Sequence, residues 1–268
     1  MITRAQAEAS HWAQALASAG HEVIKLPLLA FGPTPHPDRL SQAWLQAGSY
    51  HAAMFVSGQA ARAFFAVRPP GMVWPARCWV TGPGTRAAVL AAGVPAEMID
   101  TPPTDAARLD SEALWAVVAP QVASAVGGAT QSVLLVRGTD AGAAPSEGHQ
   151  GHGRDWLAQR LMEAGVRVDY AVAYQRVAPV WSAEQLHGAQ QSAIDGAVWL
   201  FSSSQAVAHL TALMPQQHWA RARALATHPR IGDALLAAGW GDVSVCKGDL
   251  ASVLAALGGA SDINRIPA

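Results

Sequence analysis

One stretch of this chain repeats at domain length. Gln59-Ala60 aligns with Gln205-Ala206, Thr81 and Pro83 align with Thr227 and Pro229, and Gly93 aligns with Gly239, all at a single offset of 146 residues. Composition alone does not produce one offset carrying the same turn chemistry in both copies, even in an Ala-rich chain. A weaker match joins the start of the chain to its middle: Ile2-Thr3-Arg4 with Leu135-Val136-Arg137, and Ala19-Gly20 with Ala164-Gly165. The period is far longer than that of a solenoid, so the pattern describes a duplicated α/β unit.

The repeated unit is an apolar run, a Ser/Gly/Thr/Pro turn and an Ala/Leu-rich helix ending at Gly. It reads MFVSGQAARAFFAV from Met54, CWVTGPGTRAAVLAAG from Cys78, WLFSSSQAVAHLTAL from Trp199 and ALATHPRIGDALLAAG from Ala224. Strands alternating with helices predict βαβ units, and hence parallel sheets covered on both faces. Gly20, Gly93, Gly165 and Gly239 suit the left-handed position after a helix, and Ser and Thr ahead of the helices suit N-caps. Two extended segments, Val23–Leu29 and Val168–Tyr174, each follow the first helix of their copy and are candidate interdomain connections. The Gly-rich stretch from Gly138 to Gly153 is expected as a mobile surface loop before a helix starting near Arg154, and the tail from Gly258 to Ala268 as frayed.

At 268 residues the chain has the length of about two domains of roughly 150 residues each. Apolar residues make up 51% and charged residues 14%, enough to fill large cores. The formal net charge of −1 leaves no bulk positive field for nucleic acid or an anionic membrane. Cys78 and Cys246 cannot build a disulfide framework and read as buried thiols. With no long apolar span and no signal-like segment, a cytoplasmic protein is expected.

In parallel α/β sheets, ligands bind beyond the carboxyl ends of the strands, where helix N-termini present backbone N–H groups. Those positions hold Thr3-Arg4, Ser57-Gly58-Gln59, Thr81-Gly82-Pro83-Gly84-Thr85, Arg137-Gly138, Ser202-Ser203-Ser204-Gln205 and Thr227-His228-Pro229. Hydroxyls, amides, glycines and a few arginines can bind anionic oxygens through many short hydrogen bonds. Each Ser or Thr taken singly is equally well explained as a helix cap.

Familiar catalytic patterns are missing. There is no G-x-S-x-G elbow, no G-x-G-x-x-G and no G-x-x-x-x-G-K phosphate loop. His149 and His152 have a ligand-like spacing but lie in a flexible Gly-rich loop without a nearby thiol and read as solvated, so no metal site is assigned. The tryptophans scatter at helix and strand positions, as core residues do. Tyr174, in AVAYQRVAP, stands out among three tyrosines because a phenol on a connecting strand can act as a general acid. A tyrosine packed with a satisfied hydroxyl explains it equally well.

In their order and spacing, Thr3-Arg4, AGHEVIKLPLL, FVSGQAARAF, VTGPGTRAAVLAAG, Asp110-Ser111-Glu112-Ala113-Leu114, VLLVRG, GRDWLAQRLMEAGVRV, AYQRVAP and WLFSSSQAV resemble the uroporphyrinogen-III synthase family from Ile2 to about Leu257. Thr227-His228-Pro229-Arg230-Ile231 departs from the family's usual Gly-Pro-Thr-type turn, and the loop from Thr139 to Gly153 is longer than typical. The resemblance implies two flavodoxin-like parallel α/β domains joined by a two-stranded antiparallel connection, with the active site in the interdomain cleft. Residues 1–28 with 180–268 would form one domain and 34–171 the other, with connecting strands at about 26–33 and 172–179.

The implied enzyme is a cofactor-free lyase. It would close hydroxymethylbilane, a linear tetrapyrrole, into uroporphyrinogen III with loss of water and inversion of the last pyrrole ring. Tyr174 matches the tyrosine proposed as proton donor in the family, and Ser57, Thr85, Ser202 and Ser204 match polar positions lining its cleft. Arg4 and Arg137 join the candidates from their places at strand ends. Gly58, Gln59, Thr81, Gly82, Ser203, Gln205 and Thr227 complete the set expected at the substrate. A monomer is expected, with transient contact with hydroxymethylbilane synthase and no nucleic-acid or membrane partner. The competing class is a two-lobed cytosolic small-molecule binder or sensor without catalysis. A phosphosugar or nucleotide enzyme built on the Thr81–Thr85 turn would lack a nearby lysine or acidic metal ligand.

Overall fold

The computed structural model describes residues 1–103, 109–123, 131–141 and 156–258, apart from the side chains of Ala7 and Glu8. Most of the Gly-rich loop, with His149, His152 and Arg154, and the tail beyond Gly258 lie outside the described residues.

In chain order the elements are α1 (Gln6–Ser18), β1 (Ala30–Gly32), α2 (Pro37–Leu45), β2 (Ala52–Phe55), α3 (Gly58–Ala66), β3 (Arg77–Val80), α4 (Pro83–Ala91), β4 (Ile99–Asp100), α5 (Ser111–Ala123) and β5 (Ser132–Asp140). They continue with α6 (Trp156–Glu163), β6 (Arg167–Val177), α7 (Ala183–Ser192), β7 (Val198–Phe201), α8 (Ser204–Leu213), β8 (Arg223–Ala226), α9 (Pro229–Ala237), β9 (Asp242–Val245) and α10 (Leu250–Gly258). The chain divides into two compact units. The first holds Met1–Ala30 and the chain from Val177 onward; the second holds Phe31–Arg176.

In the first unit β7, β8 and β9 pair in parallel, with Phe201 opposite Ala226 and Ala226 opposite Val245. Ile2 extends this sheet by one position, bridging in parallel to both Leu200 and Lys25. Its neighbours complete the pattern: Leu200 N–H donates to the Met1 carbonyl at 2.9 Å, and Leu26 N–H to the Ile2 carbonyl at 2.9 Å. The order is therefore Lys25, Ile2, β7, β8, β9, the flavodoxin-like 2-1-3-4-5 arrangement. The second unit has the order β1-β6-β5-β2-β3-β4, and β2, β3, β4, β5 and β6 pair in parallel. The repeat aligns β2 with β7 and β3 with β8, and the weaker match aligns β5 with the Ile2 segment. Under that alignment β6-β5-β2-β3-β4 is the same order again, so the duplication extends to topology.

Alternation along the strands divides the second unit's core into two layers. Ala53, Phe55, Val80, Leu134 and Val136 pack with Trp44 of α2, Phe64 of α3 and Val89 of α4. Ala52, Met54, Trp79, Val133 and Leu135 pack with Leu114 and Val118 of α5 and Leu157 and Leu161 of α6. Trp44 stacks on Phe64 with ring centroids 4.9 Å apart, and its indole N–H donates to the Phe64 carbonyl. In the first unit Trp199, Trp219 and Trp240 form one cluster, the last two stacked at 4.7 Å.

Helix ends follow the expected chemistry, with one correction. Gly20, Gly93, Gly165 and Gly239 take φ values of 87°, 89°, 80° and 85°, the left-handed conformation that stops a helix cheaply only at glycine. Ser57 and Ser203 cap α3 and α8, their hydroxyls accepting from Ala60 N–H at 3.1 Å and Gln205 N–H at 3.2 Å. Thr81 and Thr227 are not caps. Proline is tolerated at the first helical position, so Pro83 and Pro229 place the cap on Gly82 and His228, one residue beyond each threonine. The His228 imidazole fills the role in α9, accepting from Arg230 N–H at 3.1 Å.

Candidate active site

A sheet with this strand order opens a crevice where the order reverses, because the chains leaving the two strands there run to opposite faces. In the first unit the reversal lies between Ile2 and β7; in the second it lies between β5 and β2. The candidate residues fall largely on these two edges.

At the first reversal Thr3-Arg4 leaves one strand and Ser202–Gln205 the next. The Thr3 hydroxyl donates to the Leu200 carbonyl at 2.7 Å, so it braces the strand pair. The Arg4 guanidinium lies over the Trp12 ring, 4.1 Å from its centroid. The Ser202 and Ser204 hydroxyl oxygens are sealed from solvent without a hydrogen-bond partner, at the N-terminus of the ten-residue helix α8. Ser203 is the cap and Gln205 is half-buried beside it. Thr227 stands half-buried at the end of β8, two strands from Ile2.

At the second reversal Ser57–Gln59 follows β2 and Arg137-Gly138 lies within β5. Gly58 is closely approached: a Cβ there would stand 3.2 Å from both the Gly84 carbonyl oxygen and the Arg62 guanidinium. The starts of α3 and α4 therefore touch, and their N–H groups present two adjacent positive dipole ends. Gln59 accepts from Arg62 at 3.3 Å. Thr85, buried in the first turn of α4, and half-buried Gly82 complete this edge.

Two of the strongest candidates lie on opposite faces of the sheet. Arg137, 2% exposed, stacks on the Tyr170 ring at 4.4 Å. With Thr81 it lines a cavity of about 370 Å³ that also takes in Asp110, Ser111 and Glu112 at the start of α5. Tyr174 is on the other face, 5% exposed, within the layer that holds Phe55 and Val136. Its ring meets Phe31 edge-on at 5.2 Å. A bulge in β6 produces this placement: Val172 pairs with Arg137 but Tyr174 with Gly138, leaving Ala173 as the extra residue.

The sequence reading missed what surrounds the phenol. Arg176 forms an ion pair with Asp140 at 2.5 Å. Tyr174 pairs with Gly138 and Arg176 with Asp140, so phenol and guanidinium leave the same face of β6 one step apart, beyond the bulge. Burial works against the Arg176 charge, but Asp140 and Tyr174 outweigh it and raise its pKa. The available signal was the spacing of Tyr174 and Arg176, two residues apart and so on one face of a strand. Cys78 is no rival nucleophile: burial first, then nearby Asp100, pushes its thiol up to about 12. Among the described residues no group of three or more His, Cys, Asp and Glu is placed to hold a metal ion, and no helix is long and apolar enough to cross a membrane.

These features define a protein of two flavodoxin-like units whose strand-end loops are rich in hydroxyls and amides and carry few charges. The family model for uroporphyrinogen-III synthase HemD matches residues 10–249. Among solved structures, uroporphyrinogen-III synthetase from Helicobacter pylori is 14% identical over 90% of this chain and 96% of its own, with a TM-score of 0.54, a likeness of fold. A mutant uroporphyrinogen III synthase from Thermus thermophilus is 17% identical over 96% of both chains, with a TM-score of 0.48. The chain belongs to the uroporphyrinogen-III synthase family, whose members are enzymes of heme biosynthesis.

Proposed function

We propose that the chain is a lyase of the hydro-lyase type that cyclises hydroxymethylbilane to uroporphyrinogen III, with Tyr174 as proton donor. Loss of the terminal hydroxyl as water generates an azafulvene, which closes spontaneously at the free carbon of the last ring and gives the wrong isomer. Holding the ends so that the substituted carbon attacks first, through a spiro intermediate, is mainly an orientation problem, and alignment of this kind supplies about 7–11 kcal/mol. A positioned acid for the departing hydroxyl adds about 10²–10⁴ in rate.

The residues suit that division of labour. The substrate is a flexible polyanion, and the paired N-termini of α3 and α4, the N-terminus of α8, and Ser57, Thr85, Ser202 and Ser204 offer neutral donors for its carboxylates. Arg4 and Arg137 add fixed cations, each resting on an aromatic ring. None of this chemistry requires a cofactor. The observation that carries the reading is the family match over residues 10–249, joined by a phenol fixed beside the strand-order reversal of the second unit.

The test couples the purified protein to hydroxymethylbilane synthase, oxidises the products and separates the uroporphyrin isomers. Predominant isomer III is the expected result. An unchanged spontaneous isomer ratio, with substrate bound, would make the chain a binder or sensor instead.

A further inference from the structure

Tyr174 is held more tightly than packing of a core residue requires. Its ring lies across Gly138, where an added Cβ would collide with Cζ and stand 2.6 and 2.7 Å from Cε2 and Cε1. Phe31 closes one edge. The Thr34 hydroxyl donates to the Val172 carbonyl, fixing the strand just before the bulge that turns Tyr174 onto this face. Arg176 follows on the same face of β6, one step beyond Tyr174, and is itself anchored by Asp140 across the β5–β6 pair.

We propose that Arg176 is a positioning residue for the cyclisation: anchored by Asp140, its guanidinium aims the Tyr174 phenol and offsets the negative charge left on it when its proton departs. This rests on the assignment of Tyr174 as the acid. In the step, the Tyr174 O–H bond breaks and its proton passes to the oxygen of the substrate's hydroxymethyl group. The C–O bond breaks, water leaves, and the pyrrole nitrogen's electron pair forms the new double bond of the azafulvenium. Tyr174 remains as phenolate beside the guanidinium. The substituted carbon of the last ring attacks the azafulvenium carbon to give the spiro intermediate, and the bond from that carbon to its original methylene then breaks to leave a second azafulvenium. The free carbon of the last ring attacks this second azafulvenium and rearomatises by losing its proton, and that proton restores the phenol. The net change is loss of one water.

A guanidinium also keeps its charge throughout the working pH range, whereas a neutral donor at the same place would orient the phenol without offsetting the phenolate. The ion pair is what makes Arg176 specific: Asp140 fixes the direction of its planar fork, which a lone arginine on a half-exposed strand end would not maintain.

The test is a mutant cycle in the coupled assay with the full chain, each variant checked for its melting temperature and circular dichroism. Arg176→Gln is expected to lower kcat about 10- to 100-fold, the factor a hydrogen bond to a charged group is worth, with KM changed less than about twofold. Arg176→Lys should recover most of that loss, because it restores the charge. Asp140→Asn should lower kcat less than Arg176→Gln. In a Tyr174→Phe background, Arg176→Gln should cost nothing further. An equal loss in both backgrounds, a rise in KM with kcat intact, or failure of Arg176→Lys to rescue activity would overturn the proposal. A Tyr174→Phe protein with normal kcat would overturn the acid assignment itself, a separate failure. If Arg176→Gln does not fold, the Lys and Asn variants carry the same comparison.

Discussion

Replacing Gly138 with alanine tests the geometry of the site with a single methyl group. Ordinary carbon–carbon contact begins near 3.4 Å, and the new Cβ would stand 2.6 and 2.7 Å from two ring carbons of Tyr174, so the ring must retreat by nearly 1 Å. Retreat is blocked on one side by Phe31, and Gly138 itself is pinned in the β5–β6 ladder. Overpacking of this kind costs about 1–3 kcal/mol of stability. For a unit of this size that corresponds to a fall of about 2–4 °C in melting temperature per kcal/mol. The effect on rate is larger, since displacing a reacting group by about 1 Å costs about 10²-fold. The coupled assay run well below the melting temperature separates the two, because the protein remains folded while kcat falls. A Gly138→Ala protein with wild-type kcat, or one whose loss is fully matched by its unfolded fraction, would show that the position of the ring is immaterial to the chemistry.

Tyr174→Phe should fold with nearly unchanged melting temperature and lose about 10²–10⁴ in kcat, measured as initial formation of isomer III. Ser202→Ala and Ser204→Ala each remove a sealed, unpartnered hydroxyl, so stability should hold or rise slightly. If those hydroxyls bind substrate carboxylates, KM should rise about tenfold, the low end for a hydrogen bond to a charged group; an unchanged KM in the double variant removes them from the binding surface. Alkaline stability should follow Cys78. The unfolded chain releases this thiol proton near pH 9 while the folded protein keeps it until about 12, so the stability contribution is whole below pH 9 and lost as pH rises through that window. Cys78→Ala should flatten the fall, read from urea midpoints at stepped pH, and an equal slope in both proteins would contradict the burial of the thiol.

Local chemistry was the legible part of this sequence. A glycine after an Ala/Leu run has one cheap use, so Gly20, Gly93, Gly165 and Gly239 marked four helix ends, and the apolar runs before the Ser- and Gly-rich turns marked β2, β3, β7 and β8. The threonines misled because Thr81 and Thr227 look like caps until the proline rule moves the cap by one residue. What spacing could not show was the face on which a residue lands. Arg137 and Tyr174 both sit near the same strand-order reversal, but the bulge at Ala173 shifts the alternation of β6 and places the phenol over Gly138, away from Arg137. Asp140 and Arg176 are 36 positions apart and meet only because β5 and β6 pair in register. A pairing of that range leaves no trace in local composition.

The bridge from Ile2 to Leu200 sets a timetable for synthesis. The inner neighbour of the first strand is nearly two hundred residues downstream, while every strand pair among β2, β3, β4, β5 and β6 closes before residue 178 is made. At about 5–20 residues per second on the ribosome, the opening segment waits roughly 10–40 s for β7 to emerge. Throughout that interval the second unit can complete itself, and the apolar stripe of α1 with Ala9 and Leu16 has nothing permanent to cover it. The nascent chain therefore depends on whatever shields that stripe, and the second unit matures before the segment that precedes it in the chain.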